Sequence, residues 1–409
     1  MIRSLLGLIV CLVVSIPVVA QDQQDQEPAT RAELLAKMRA QKAQNLQPAK
    51  PTGIERALLY MEEHRILERL TIADGWYPRI GGLTTGGGFA GGAGYRKHVL
   101  NDQLFLNASG AISTKAYKEL VGDAVLPFLL KGWVEVGANV RWRDLPQEDF
   151  YGLGNDSSLE SRVNFALEAF AASGRVAVKP KPWLRVGTEI GYLSPTISPG
   201  TDPRFPTIAL LFDDFDAPGL ADQPTFLWKN LFAIVDYRDQ PGNARSGGLF
   251  QVRYAAWNDR ELNQFDFGRV DAEAAHFFPI FDKKRVFAVR LGVSYVNNDP
   301  GSRVPFYFLP YIGGSDTVRG YREFRFRDEN AVFMNLEYRW EAFAGLDMAL
   351  FFDAGEVSDD WENIDLVNNA KTSYGIGFRF NTFKNVFMRL DLGLGGEGTQ
   401  IFFKFGPAF

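Results

Sequence analysis

Cysteine and histidine are scarce in this chain of 409 residues. The one cysteine, Cys11, lies in the first twenty residues, so removal of that segment would leave no cysteine at all. A chain without disulfides must be held together by backbone hydrogen bonds and burial, which several hundred residues make feasible. The three histidines, His64, His98 and His276, are scattered and show no metal-ligand spacing. We therefore expect no metal and no cofactor.

Catalytic motifs are also missing. The sequence has no Gly-x-Ser-x-Gly elbow, and we find no serine and histidine on neighbouring strands of the kind that a barrel phospholipase would need. We expect the protein not to be an enzyme, with an outer-membrane lipase as the enzymatic alternative. The net charge of -5 is spread along the chain, which argues against nucleic acid as a partner.

Long apolar runs are absent after the first twenty residues. The stretch Leu5–Val19 follows a positive charge at Arg3 and ends on small residues at Ala20, which is the pattern of a cleaved signal peptide, residues 1–20. That stretch is too short for a spanning helix, which needs about 20 apolar residues. If the rest of the chain enters a membrane, a closed β-barrel is the remaining route, because lipid offers no partner for unpaired backbone groups.

Residues 21–74 differ in composition and hydropathy pattern from the rest of the chain and are predicted to form a periplasmic tail. Gln21–Gly53 is rich in Gln, Ala, Pro and charge and is typical of a tether, although Arg31–Asn45 could form a helix. Ile54–Leu70 has its apolar residues on one face, as in an amphipathic helix. One hypothesis is that this helix plugs the periplasmic mouth or lumen; the alternative is a partly helical tail without a specific role.

From residue 75 to the last residue the sequence alternates with a period of two. Within Arg285–Val296, the odd-numbered residues from Phe287 to Tyr295 are apolar, whereas the even-numbered ones from Ala288 to Ser294 are polar or small, so one face is apolar and the other is not. This is the pattern of a water-filled barrel that is apolar outside and polar inside. The sequence thus predicts an all-β, antiparallel transmembrane β-barrel over residues 75–409, with a short helical segment before it.

A soluble β-sandwich also alternates, so alternation alone leaves that fold open. Strand-like runs of ten or more residues recur with aromatics near their ends, and the composition is 14% aromatic with 40 glycines. The chain also ends on Phe403, Phe405 and a terminal Phe409. A C-terminal aromatic on an amphipathic strand resembles the signal by which outer-membrane barrels are recognised for insertion. These features together favour the integral outer-membrane barrel.

Fifteen alternating runs can be counted between residues 79 and 409, the first over 79–95 and the last over 400–409. Bacterial single-chain barrels have even numbers of strands, so we predict sixteen, with one strand merged or missed in the first hundred residues of the barrel. Two stretches, 194–225 and 297–327, are too long for hairpin turns. Loops of that length are usually functional.

The second long stretch contains Gly313-Gly314-Ser315-Asp316-Thr317-Val318-Arg319-Gly320-Tyr321. It resembles the Val-Arg-Gly-Phe/Tyr motif of the BamA/TamA-like, outer-membrane protein 85 superfamily (bacterial surface antigen type). Later segments of the chain also resemble that family in order and spacing, namely Asn335–Arg339, Phe351–Val357, Tyr374–Gly377 and Arg389–Gly393. Upstream, Phe150–Gly154 and Asp236–Pro241 resemble further landmarks. The resemblance covers residues 75–409 and is most specific after 230.

The resemblance implies that this loop folds back into the lumen and that its arginine, Arg319, pairs with an acid on the inner wall. By parity with the apolar face, Glu337 and Asp353 point inward, and both are placed to receive Arg319. Its planar guanidinium could form a two-pronged pair with Asp353, and Gly320 suits a tight tip where a side chain would collide with the wall. The predicted loop lock comprises Val318, Arg319, Gly320, Tyr321, Glu337 and Asp353. The alternative is that Arg319 is a solvated loop charge.

Members of this family usually carry periplasmic POTRA domains of about seventy-five residues each. Gln21–Gly75 is too short for one with its linker, so we expect a barrel-only member lacking POTRA domains, which leaves the family's insertase role open. The function implied is insertion or translocation of proteins or lipids at the outer membrane. Expected partners are outer-membrane lipids, unfolded outer-membrane or secreted protein clients, and a periplasmic partner.

The family mechanism is a lateral seam between the first and last strands. Glycine-rich sequence around Gly81-Gly82, Gly86–Gly88 and Gly91-Gly92 fits a weakly paired first strand, although small residues could equally serve to ease barrel curvature. The alternative function is a passive pore or structural barrel without translocase activity.

Overall fold

The computed structural model describes residues 31–44, 53, 56, 60, 63, 74–84, 86–343, 345–381, 385–407 and 409. Two compact units divide the chain, residues 1–52 and residues 53–409. In the first, helix α1 spans Arg31–Gln44, close to the helix that the sequence suggested there. The predicted signal peptide and most of the predicted helix Ile54–Leu70 lie outside the described residues. No helix in the described part of the chain is long and apolar enough to cross a membrane.

The second unit is built on one antiparallel sheet of sixteen strands, which confirms the predicted fold class and strand number. Its strands are β1 (Gly75–Gly81), β2 (Ala90–Val99), β3 (Leu104–Ser113), β4 (Lys118–Phe128), β5 (Val134–Phe150), β6 (Val163–Lys181), β7 (Leu184–Pro199), β8 (Phe226–Asp236), β9 (Gly247–Asp259), β10 (Phe267–Ile280), β11 (Arg285–Asn298), β14 (Asn330–Phe343), β15 (Leu346–Ser358), β16 (Lys371–Asn381), β17 (Val386–Gly395) and β18 (Gly398–Lys404). A separate pair of two-residue strands, β12 (Tyr311–Ile312) and β13 (Phe326–Arg327), lies within the loop after β11.

Each strand of the large sheet pairs with its neighbours in chain order, so the chain winds as a continuous meander. A four-residue helical turn, α2 (Leu129–Gly132), joins β4 to β5, and short 3-10 turns occupy Leu159–Ser161, Ile208–Leu210, Phe306–Phe308 and Trp361–Asn363. The alternating run 79–95 proved to be two strands, β1 and β2, joined by a glycine-rich turn. This was the strand that the sequence count had merged.

Alternation in sequence becomes alternation in exposure along the strands. On β11, Phe287 and Leu291 are 40% and 48% exposed. Val286 and Ala288, which flank Phe287 in sequence, are almost fully buried. The exposed apolar face points away from the lumen, because the opposite face of the sheet carries buried ion pairs. The barrel is therefore apolar outside and polar inside, as expected for a membrane barrel.

The two ends of the barrel differ in the length of their connections. The end at which β1 begins and β18 ends has short turns, such as residues 182–183 and 281–284. The opposite end carries the long connections 200–225 and 299–329, close to the two long loops that the sequence predicted. In bacterial barrels the short turns are periplasmic and the long loops extracellular, which orients this chain.

A buried hydrophobic cluster lies at the end of the barrel that carries the long loops. Phe150, Phe165 and Phe226 contribute to it from strand ends, and Phe306 and Ile208 from the two long loops. The ring of Phe306 lies 5.0 Å from the rings of Phe150 and Phe165. We call this the mouth cluster.

The C-terminal segment differs from the sequence expectation. The run 400–409 was expected to be one alternating strand, but β18 ends at Lys404, because Gly406 adopts a left-handed φ of 98° and Pro407 cannot donate to a ladder. Phe403 and Phe405 are exposed outward, whereas the ring of Phe409 packs 5.8 Å from that of the buried Phe277 on the inner face. The last residue therefore turns into the barrel.

Candidate functional site: the lumen loop and its ion cluster

The long connection 299–329, which we call the lumen loop, reaches back into the barrel. Its small hairpin pairs Tyr311 with Arg327 and Ile312 with Phe326. The segment between these strands, residues 313–325, lies against the inner faces of β14 to β17, where Val318 and Tyr321 pack with Val357 in a buried cluster. The tip of the motif is therefore fixed by burial as well as by charge.

Arg319 is the most heavily bonded residue of the tip. Its Nε and Nη2 donate to Oδ2 and Oδ1 of Asp353 at 2.9 and 2.6 Å, which is the planar two-pronged arrangement that only arginine can make. The backbone N–H of Arg319 donates to the same carboxylate at 3.0 Å. Asp353 also accepts from Asn335 Nδ2 at 2.8 Å and from Ser373 Oγ at 3.1 Å, so both its oxygens are saturated.

Glu337 is a second acceptor for the same guanidinium. It accepts from Arg319 Nη1, and also from Arg339 Nε at 2.6 Å and Arg379 Nη2 at 3.0 Å. Arg379 in turn donates to Asp391 at 2.6 Å. We call these six residues the ion cluster: Arg319, Glu337, Arg339, Asp353, Arg379 and Asp391.

The ion cluster is dry. The side chains of Arg319 and Arg379 are 2% exposed, and those of Glu337, Asp353 and Asp391 are 0% exposed. The guanidinium carbon of Arg319 lies 3.6 Å above the ring centre of Phe351, which shields one of its faces. Burial acts to lower the pKa of Arg319, but Asp353 and Glu337 outweigh it and raise the pKa above its ordinary value. The loop charge is therefore permanent.

Glycines bring the loop tip close to the wall. A Cβ at Gly320 would lie 2.5 Å from Cβ of Ser373 and 2.7 Å from Cα of Gly395. A Cβ at Gly393 would lie 2.1 Å from the carbonyl oxygen of Arg319. Both the tip and the strand beneath it must therefore be glycine for the two backbones to touch. Tyr321 adds a bond, since its hydroxyl accepts from the N–H of Gly396 at 3.2 Å.

Asp316 connects the same loop to the end of the sheet, and sequence reasoning missed it. It accepts from Arg389 Nη2 on β17 at 2.6 Å and from Lys404 Nζ on β18 at 2.5 Å. Burial acts to raise the pKa of Asp316, but the two cations outweigh it and lower the pKa. Parity could place Arg389 on the inner face, but the partner of a loop carboxylate depends on the path of the loop.

The two ends of the sheet are β1 and β18. No pairing joins them in the part of the chain that the structure describes. They nevertheless approach each other, because a Cβ at Gly81 would lie 2.8 Å from Cδ2 of Phe405. We call this boundary the seam.

Histidine and acid clusters give no sign of a metal centre. Within the described residues, no group of three His, Cys, Asp or Glu side chains could hold an ion. Nδ1 of His98 lies 2.6 Å from Asp74, and Nδ1 of His276 lies 3.2 Å from the hydroxyl of Tyr237. His64 lies outside the described residues.

Comparisons with known proteins agree with an outer-membrane β-barrel. Residues 222–407 match the Omp85 superfamily domain. BamA from Haemophilus ducreyi lacking POTRA domains 1-3 is similar in structure, with a TM-score of 0.61 and 14% identity over 82% of this chain and 70% of that chain. None of the curated proteins matches the chain.

Two CdiB structures share the fold as well. CdiB from Acinetobacter baumannii has a TM-score of 0.50 and 15% identity, and CdiB from Escherichia coli has a TM-score of 0.52 and 12% identity. The chain covers 59% and 61% of those two proteins, and 81% and 80% of its own length is matched. The matched family domain contains the whole ion cluster and the lumen loop. Residues 222–407 thus match the Omp85 superfamily domain, and the chain is an integral β-barrel of the outer membrane.

Proposed function

We propose that the protein inserts or translocates polypeptides at the outer membrane through the seam between β1 and β18. The observation that carries the proposal is the Asp316 bridge to Lys404, which ties the lumen loop to the last strand of the sheet. The loop itself is fixed to the wall through Arg319 and Asp353. The loop is therefore placed to control where the edge strand lies.

An edge strand offers unpaired backbone N–H and C=O groups on which an extended peptide can add as a further strand. In an Omp85-type barrel, such a peptide would be a strand of an unfolded outer-membrane protein or a segment of a secreted one. The resemblance also allows lipid as cargo. Peptide is favoured here because a sheet edge recognises backbone hydrogen-bonding groups, which lipids lack.

A passive pore is the competing function. The mouth cluster argues against a passive pore, since Phe306 and Ile208 from the two long loops are buried against strand residues at the extracellular end of the barrel. We also propose that the protein is not an enzyme and that its lumen-facing acids and arginines hold the loop.

The test is a disulfide across the seam. The pair Gly81→Cys and Phe405→Cys is chosen because a Cβ at position 81 would lie 3.8 Å from Cγ of Phe405. The φ of 146° at Gly81 is strained for any side chain, so mass spectrometry first verifies that the bond has formed. The purified barrel is reconstituted in vesicles with an unfolded test barrel, whose insertion is followed by its heat-dependent electrophoretic mobility. We expect the oxidised pair to abolish insertion and its reduction to restore it.

The matched control places the disulfide between paired neighbours inside the sheet, Ala233→Cys on β8 and Val252→Cys on β9. This control should insert the test barrel equally well when oxidised and reduced. Full activity of the oxidised seam variant would contradict the proposal. Ion conductance in the absence of any insertion activity would favour the passive pore.

A further inference from the structure

A depression of about 580 Å³ lies on the outward face of the barrel over strands β1 to β6. Its lining is almost entirely apolar, and it lies on the first third of the sheet, away from the ion cluster. We call it the outer groove. Neither the lumen loop nor the edge strand β18 contributes to it.

Two rows of cross-strand neighbours build the outer groove. The first row runs through Ala93, Gly110, Leu120, Trp142 and Phe170. The second row runs through Trp76, Tyr95, Ala108, Gly122 and Val140. In each row the small residues form the floor and the large ones form the rims, on opposite sides. The groove is thus a channel of alanine and glycine between aromatic and aliphatic walls.

The floor is open rather than filled by the protein's own side chains. A Cβ added at Gly122 would meet no atom within 4 Å. By contrast, a Cβ at Gly110 would lie 2.7 Å from Cδ2 of Leu120, because that wall residue leans over its neighbour. In a bilayer such an open apolar channel is filled by hydrocarbon, because its floor gains dispersion contacts only from atoms that enter it.

Ionised side chains lie one step further towards the extracellular end. Lys118, Asp144 and Glu168 are the cross-strand row next to Leu120, Trp142 and Phe170. Lys118 Nζ pairs with Asp144 at 2.8 Å, and Trp142 Nε1 donates to Glu168 at 2.9 Å. Charges and tryptophan N–H groups on an outward face belong at the level of the headgroups, since charges are costly in hydrocarbon. The groove therefore starts at the interface and extends into the hydrocarbon.

We propose that the outer groove binds an acyl chain of a lipid in the outer leaflet, with the lipid's polar part beside Lys118, Asp144 and Glu168. The groove is continuous with the lipid-facing surface of an integral barrel, so hydrocarbon is its solvent. Its apolar floor and polar end match the order of an acyl chain and its headgroup. A client strand fits less well, because β2 to β5 are each paired on both sides and offer it no free backbone groups.

The test uses the full chain reconstituted in lipid that contains a small fraction of phospholipid with a diazirine in the acyl chain. After illumination, labelled peptides are mapped by mass spectrometry. We expect labelling concentrated on β3 to β5 around Gly110 and Gly122, compared with the outward faces of β9 to β11. An added Cβ at Gly122 meets no atom, so Gly122→Leu puts a side chain into the space that the acyl chain would occupy and should lower labelling there to the level of the outward faces of β9 to β11.

The control is Gly174→Leu on β6, which also points outward into open space but does not line the groove, and it should leave the labelling unchanged. Excess unlabelled lipid should compete in the unsubstituted chain, a measurement that needs no variant to fold. Equal labelling of all outward faces, or no change with Gly122→Leu, would overturn the proposal. A dimer in detergent that Gly122→Leu dissociates would also overturn it, in favour of a second copy as the occupant.

Discussion

The inner face of the barrel pairs its charges in two very different ways. On β14 to β17, Arg319 and Asp353 are 2% and 0% exposed beneath the lumen loop. On the far wall, Glu135 of β5 pairs with Lys179 at 2.7 Å and with Arg175 and Arg185, and these three cations are 32–37% exposed. Glu135 itself is 8% exposed, so the difference lies in the cations, which are exposed around Glu135 and buried around Asp353.

Burial of an ion pair changes how much it contributes to stability. An ion pair that water reaches contributes about 0–1 kcal/mol, because each partner is well solvated without the other. A desolvated pair gains little in total, but loss of one partner leaves a buried charge and costs about 3–5 kcal/mol. The dry wall therefore commits the lumen loop to one position, whereas the wet wall leaves its side chains replaceable.

The largest effect should follow from removing the arginine of the dry wall. Arg319→Ala leaves Asp353 and Glu337 buried without their main donor, and we expect a loss of about 3–5 kcal/mol in the free energy of unfolding. Urea unfolding in detergent, followed by tryptophan fluorescence, measures it. Arg319→Lys keeps the charge but not the planar fork and should recover only part of the loss. A loss below about 1 kcal/mol would mean that lumen water reaches the pair.

Exchanging the charges of Arg319 and Asp353 tests whether the attraction between them matters, or only the presence of a charge at each position. Arg319→Glu and Asp353→Arg should each disable insertion, and the double variant should recover part of it if attraction between the two positions matters. If the double variant recovers nothing, loss of charge pairing does not explain the single variants.

The mouth cluster is a second covered region, held by apolar contacts. Phe306→Ala removes a fully buried ring that touches Phe150 and Phe165, and we expect a loss of about 3 kcal/mol, together with higher ion conductance. Phe215→Ala is the matched control, because that phenylalanine also lies in a long loop but is 83% exposed. Unchanged conductance in the Phe306 variant would show that another barrier closes the mouth.

Much of the fold could be predicted because a barrel strand repeats its environment every two residues. The alternation along β11 or β14 is dictated by lipid on one side and polar groups on the other, and it needs no knowledge of distant residues. The prediction from alternation failed where the environment no longer changes every two residues. The turn around Gly86–Gly88 shows no change in hydropathy, so β1 and β2 merged, and Phe409 leaves the outward face because Gly406 redirects the chain.

Part of the candidate site could be predicted from the sequence for the same reason. Parity alone pointed Glu337 and Asp353 inward, which is where the structure has them. The donors Arg379 and Ser373 could not be matched to these acids, since cross-strand pairing depends on the register of each hairpin. The bridge from Asp316 to Lys404 spans 88 positions and depends on the path of the lumen loop.

A smaller effect, dependent on pH, is expected at the base of the lumen loop. Burial raises the pKa of Asp328 from 3.8 to about 6, with Asp359 adding to the shift and the N–H of Glu329 opposing it. Because the folded pKa lies above the unfolded one, the protonated form is favoured by folding. The contribution of Asp328 to the free energy of unfolding is therefore full below about pH 4. It is lost as the pH rises through 6, and it amounts to about 1 kcal/mol after solvent screening.

The measurement is urea unfolding between pH 4 and 7, with Asp328→Asn as the comparison. The asparagine variant should show a smaller change in the free energy of unfolding over that range, by about 1 kcal/mol, while other buried carboxyls such as Glu329, whose pKa burial also raises, keep their own part. A variant with the same slope as the unsubstituted chain would place the titration elsewhere.

The smallest effect gives the sharpest comparison of the two walls, because one substitution can be made on each. Glu135→Gln removes a carboxylate whose three cations reach water, so we expect a loss below about 1 kcal/mol in the free energy of unfolding. Glu337→Gln removes a carboxylate with three buried guanidinium partners and should cost about 3–5 kcal/mol in the same urea assay. Raising the salt concentration should weaken only the pairs around Glu135, since ions screen solvated charges far more than buried ones. Equal losses at the two positions would mean that both walls are hydrated alike, and that the lumen loop is held by its apolar and glycine contacts instead of by the ion cluster.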